Sequence, residues 1–139
     1  MKQINYFSAA LIMIFLSCTP GKQVAVQTTP LYETKWALTK VHTGTGMEDV
    51  NTRAFIKFNQ EKKTAGGNGS CNTFGSNAEI NGSEVKFTNI FSTKMYCEGV
   101  QKTEDAFFSD LGKVNRFEIK DKSLLLYQDK ELLLEFTAV

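Results

Sequence analysis

Between Thr34 and Phe136 the apolar residues recur mostly in steps of two, and in one stretch, Gly99 to Gly112, in steps of three and four. Steps of two line one face of a strand, and steps of three and four line one face of a helix. A chain with that contrast folds as a mainly β domain with one helix inserted late. "TKWALTKV" (34–41) reads as a first strand with Trp36 and Leu38 on one face. "HTGTGMEDVNT" (42–52) reads as a loop that includes His42, and "RAFIKFN" (53–59) as a strand with Ala54, Ile56 and Phe58 inward. "QEKK" is a charged turn, and Asn81-Gly82, between "SNAEI" and "SEVKF", is a strong hairpin signal.

In the helical stretch Val100, Phe107, Phe108 and Leu111 form the apolar face, with Ala106 between them. Gln101, Lys102, Glu104, Asp105, Ser109 and Asp110 fall on the polar one. Thr103 can cap its start and Gly112 can stop it. "NRFEIK", "SLLLYQ" and "ELLLEF" follow as three strands joined by two Asp-Lys turns. Phe117 and Ile119, then Leu124 and Leu126, then Leu132, Leu134 and Phe136 supply their inward rows. One helix cannot cover so large a sheet. The expected fold is α+β, mainly β: a strongly curved or barrel-like antiparallel sheet, one packed helix over about residues 99–112, and a C-terminal three-strand meander.

The N-terminus determines how the cysteines are read. Lys2 precedes an apolar run of about a dozen residues, shorter than the roughly 20 a bilayer span needs. The run fits the core of an export signal. It ends in Phe15-Leu16-Ser17-Cys18, which resembles the lipobox of bacterial lipoproteins, where a small residue precedes a cysteine that is acylated. The expected organisation is a signal peptide over 1–17, an acylated Cys18 with a tether to residue 33, and one domain over 34–139. Both prolines of the chain fall in that tether.

Residues 1–17 contain Lys2 and no acid, so of 16 basic and 15 acidic side chains the processed chain keeps 15 of each. A neutral domain without a basic cluster is poorly suited to nucleic acid, whose binding depends on neutralising phosphates. After acylation of Cys18 an even pair remains, Cys71 and Cys97. In an exported chain such a pair is most simply a disulfide. The alternatives are a metal site, which needs more ligands than the distant His42 supplies, or a thiol nucleophile assembled with His42.

Several segments together resemble the META domain. They are Trp36-x-Leu38, "FIKF" followed by Gly69-Ser70-Cys71-Asn72, "STKMYC" (92–97), Glu104 with Phe107, Phe108 and Leu111, and the "LLLY…LLLEF" ending. The resemblance spans Thr34 to Phe136, and Ser70 stands where that family commonly has glycine. It implies a bonded Cys71–Cys97 pair, a place in the cell envelope and, for some members such as the HslJ-type lipoproteins, a link to stress or novobiocin tolerance. It implies no catalytic residue, metal or cofactor.

On that basis "GGNGSCNTFGSN" (66–77) reads as a stapled turn. Gly66, Gly67 and Gly69 bend the chain away from its strand, and Asn68 and Asn72 bond exposed backbone. The rival reading is an anion-binding nest of glycine amides. Asn68, Asn72, Lys94 and Tyr96 are the candidate surface contacts, Met95 a core filler, and Phe55, Phe74 and Phe91 partly buried. The expected function is a non-catalytic, lipid-anchored envelope module, on the periplasmic side of the inner or outer membrane, that binds an envelope protein or a small molecule. A protease inhibitor, using the segment around Cys71 or the loop 43–52, is the alternative.

Overall fold

The computed structural model describes residues 28–139; the signal segment, Cys18 and the tether through residue 27 lie outside the described residues. The described residues form nine strands, β1 (Trp36–Thr43), β2 (Gly46–Asp49), β3 (Phe55–Asn59), β4 (Thr64–Asn68), β5 (Thr73–Asn81), β6 (Glu84–Ser92), β7 (Arg116–Lys120), β8 (Ser123–Gln128) and β9 (Glu131–Ala138), and one helix, α1 (Gln101–Leu111). Every neighbouring pair is antiparallel, and β9 returns to pair with β1, so the sheet closes on itself. The barrel-like sheet, the single helix and the C-terminal meander are as the periodicity requires.

Strict antiparallel order sorts the connections to two ends. One end, the floor, carries residues 60–63, Gly82-Ser83 and Asp121-Lys122. The other, the roof, carries residues 69–72 and the 93–100 segment that enters α1. The Asp129-Lys130 turn, bonded to Asn115 and Arg116, lies beside the β6–β7 seam. The seam between β6 and β7 is the loosest, with the single register pair Glu84↔Arg116.

Trp36, Ile56, Leu124, Leu126, Leu134 and Phe136 fill the interior and are fully buried. Each contributes about 1.5–3 kcal/mol or more by leaving water. Phe107 of α1 meets Phe74 edge-on at 5.4 Å and Phe136 at 6.3 Å, so the helix seals the core.

Several expectations change. The packed body begins before Thr34: Leu31 is buried, its carbonyl accepts the Trp36 indole N–H at 3.0 Å, and Tyr32 bridges Phe58. The expected loop 42–52 contains β2, which pairs with the C-terminal half of β1, and His42 is a strand residue. Gly44 and Gly46 hide that short strand by breaking the apolar alternation. The hairpin loop is Gly82-Ser83, one residue later than Asn81-Gly82, because Asn81 already pairs with Glu84 and only Gly82 takes positive φ, 60°.

α1 starts at Gln101 with Val100 at the cap position and no side-chain cap; Thr103 lies inside the helix. It ends before Gly112 as expected, although that glycine keeps a right-handed φ of −69°. In β9 a register shift opposite Leu126/Tyr127 turns Leu133 into the core and leaves Leu132 half-buried.

Gly66 and Gly67 do not bend the chain away. They pair inside β4 with Lys57 and Ile56 of β3. A β-carbon on Gly67 would run into the carbonyl oxygen of Phe55, so glycine serves there for close backbone approach. The turn itself is Gly69 to Asn72.

Candidate functional site

At the roof, the 69–72 turn, the 93–97 segment and the first turn of α1 converge. Cys71 and Cys97 form a disulfide with 5.8 Å between their α-carbons. Beside it lies Glu104, 2% exposed. Its carboxylate accepts the backbone N–H groups of Cys71 (2.8 Å) and Asn72 (2.6 Å), and the Asn72 side-chain amide. The turn therefore does make a nest of amides, and the protein's own carboxylate occupies it. Burial pushes the Glu104 carboxyl up, but the Asn72 and Cys71 donors, with the charge of Lys94, outweigh burial and hold it below its ordinary value.

Asn72 is the hub. Its Nδ2 donates to Glu104 and to the Met95 carbonyl (2.8 Å). Its Oδ1 accepts the Thr93 hydroxyl (2.8 Å) and the Met95 N–H (2.7 Å). All four hydrogen-bonding positions of the side chain are filled. The rest of the turn is held as tightly. Arg53 donates through Nε to the Ser70 carbonyl (3.0 Å) and through Nη2 to that of Cys71 (2.9 Å). Asn68 Oδ1 accepts the Ser70 N–H at 3.0 Å, and Gly69 N–H reaches the Asn72 carbonyl at 2.8 Å.

The sequence candidates thus separate into two sets. Asn68 and Asn72, expected as surface contacts, are buried and structural. Lys94 and Tyr96 are exposed, on the segment that Asn72 grips. Met95, expected as a core filler, is 57% exposed, because both of its backbone groups are taken by Asn72 while its side chain is left outside. Phe91 is 70% and Tyr96 78% exposed; Phe74 is buried and Phe55 half-buried. The Phe91 ring tip lies over Gly75, its cross-strand partner, where a β-carbon would come within 2.6 Å of it.

Glu104 was expected on the polar face of the helix. The signal that places it inside is its spacing: Glu104, Phe107, Phe108 and Leu111 stand at i, i+3, i+4 and i+7, so the acid occupies one position of the apolar stripe. Asp110 was likewise expected outside and is buried. Its Oδ1 meets Lys113 Nζ at 3.3 Å, while Oδ2 has no partner. Desolvation raises its pKa against the pull of Lys113.

Two open concavities complete the surface. One of about 1120 Å³ lies at the floor beside the β6–β7 seam, with Ala78, Val85 and Phe87 at its base and Lys63, Glu79 and Arg116 on its rim. The other, about 540 Å³, runs over Gly66 and Gly75 between Lys57 and Phe91. Near the seam the half-buried Glu118 carboxyl is lowered to about 2 by Lys120 and Arg116. No group of three or more His, Cys, Asp or Glu residues that could hold a metal occurs among the described residues. With both sulfurs bonded, neither Cys71 nor Cys97 is a free thiol.

A closed antiparallel barrel sealed by one helix, with a disulfide tying a glycine-rich turn to the helix entry, defines a small stapled β domain. The chain belongs to the META domain family, whose model matches residues 29–139. Its fold is similar to an NMR structure of a protein from Burkholderia xenovorans, at 16% identity and a TM-score of 0.65, covering 99% of this chain and 98% of that one. It is also similar to the crystal structure of a DUF4847 family protein from Bacteroides vulgatus, at 14% identity and a TM-score of 0.54, covering 77% and 93%. No curated protein matches the chain. The family match begins at Thr29, as does the packed body: the N–H of Thr29 bonds the Asp121 carbonyl at 3.3 Å and its hydroxyl the same oxygen at 2.9 Å.

Proposed function

We propose that this protein is a non-catalytic lipoprotein of the bacterial cell envelope, anchored through acylated Cys18, whose META domain presents a fixed surface to an envelope partner. The observation that carries this reading is the exposure of Met95 and Tyr96 on a segment immobilised through Asn72 and the disulfide. Large exposed apolar side chains on a rigid support mark contact sites, because little ordering entropy remains to be lost on binding. The lipobox-like Ser17-Cys18 and the Cys71–Cys97 bond both suit an exported chain. A role in envelope stress tolerance belongs to the same reading and rests on the family resemblance.

Two measurements test it. Palmitate labelling and fractionation place the wild type in membranes and Cys18→Ala in the soluble fraction; an unlabelled wild type in the soluble fraction overturns the anchor. A photo-cross-linking residue at position 96 captures a discrete envelope protein in cells, whereas one at exposed position 61 does not. Equal labelling at both positions overturns the contact surface.

A further inference from the structure

Residues 93–96 continue β6 past its last ladder pair, Phe74↔Ser92, and the backbone from Ser92 to Tyr96 alternates in direction. Thr93 N–H turns inward to the Thr73 carbonyl at 3.1 Å. Met95 turns inward through both its N–H and its C=O, to Asn72. Lys94 and Tyr96, in the opposite phase, have N–H and C=O groups with no protein partner among the described residues. Ser92, opposite Phe74 in the ladder, shares their outward phase. The result is a rigid, one-sided strand edge at the roof, centred on an exposed lysine. Substrate clefts of endoproteases pair with such an edge in a peptide, as in other strand-addition modes of recognition.

We infer that Ser92–Tyr96 is an inhibitory loop for serine endoproteases with an acidic specificity pocket, and that Lys94 is the residue that enters the pocket. This deepens the reading of the segment as a contact surface, and rests on it. Lys94 supplies the charge complement, and both sides of the Lys94–Met95 bond are tied to one residue. When the protease serine adds to the Lys94 carbonyl, the C–N bond to Met95 breaks. The protease histidine passes the serine proton to the new amine, leaving Lys94 as the acyl ester. Neither half departs. On the amine side Asn72 holds Met95, and Cys97 is bonded to Cys71. On the acyl side the Thr93 hydroxyl bonds Asn72 and its N–H bonds Thr73. Held at high effective concentration, the amine attacks the ester, restores the peptide bond and returns the proton to the serine before water intervenes.

The experiment titrates the full-length, oxidised protein against trypsin and chymotrypsin with peptide substrates. Trypsin is inhibited, and Lys94→Ala weakens the inhibition roughly 100-fold, as for a residue filling the central pocket of an interface. Lys94→Tyr moves the inhibition to chymotrypsin. Asn72→Ala turns the loop into a substrate; should that variant not fold, the two variants at exposed Lys94 still decide. Uninhibited trypsin, cleavage after Lys94 at an ordinary substrate rate, or equal inhibition by Lys94→Ala overturns the inference. Any of these leaves the cross-linking result at position 96 standing on its own.

Discussion

Ser70 adopts φ 128°, a backbone region that side chains disfavour and glycine enters freely. Its surroundings impose it: Asn68 takes its N–H, Arg53 its carbonyl, and its hydroxyl meets that of Thr52 at 3.1 Å. Ser70→Gly removes the strain, of order 1–3 kcal/mol, and loses one half-buried hydroxyl contact; a net gain of about 1 kcal/mol in urea unfolding is expected. The two buried acids of α1 respond to pH in opposite senses. Glu104 has a folded pKa below 4.5, so its contribution is complete above that value and is lost as the pH falls through the folded one. Glu104→Gln therefore costs about 2 kcal/mol at pH 7, and the difference from wild type closes in acid. Asp110, raised above 3.8, favours the fold when protonated and loses that advantage as the pH rises through its folded value. Asp110→Asn is accordingly as stable as wild type in acid and more stable at pH 7 by roughly 1 kcal/mol. Unfolding curves at pH 3 and 7 check both signs.

At the level of elements, alternation and helical spacing made β3, β7, β8 and α1 legible, because each keeps one period throughout; β6 and β9 were legible only in part, because a bulge shifts the phase within each. β4 and β2 were not legible, for a common reason. Their backbone pairing is clear in the structure, yet Gly66, Gly67 and Gly46 supply no side chain to mark a face. The two polar residues that organise the roof were hidden differently. Glu104 and Asn72 are buried because the turn, the 93–95 segment and each other satisfy their hydrogen bonds, and their separation of 32 positions in sequence conceals the pairing. The disulfide acts at this scale too, joining the β4–β5 turn to the entry of α1 across 26 residues. In the chain-entropy treatment, closing a loop of that length contributes roughly 3.5 kcal/mol. The Cys71→Ala/Cys97→Ala pair should lose most of that in urea unfolding relative to the oxidised wild type; a loss below about 1 kcal/mol would show that Glu104 and Asn72 hold the roof unaided.

For the whole molecule, closure of β9 on β1 makes both ends of the domain part of one ring, and the chain enters that ring from beneath. Thr29 docks on the Asp121 carbonyl at the floor, and the nine residues of β6 lead from the same end to the 92–96 edge. At about 3.3 Å per residue, that strand alone runs for roughly 30 Å. Were Cys18 seated in a bilayer as proposed, the floor, where the described chain begins, would be the landward side of the domain, and Lys94 would stand at the opposite end. The molecule would then work as a sentry post, meeting what diffuses past the membrane rather than what lies embedded in it.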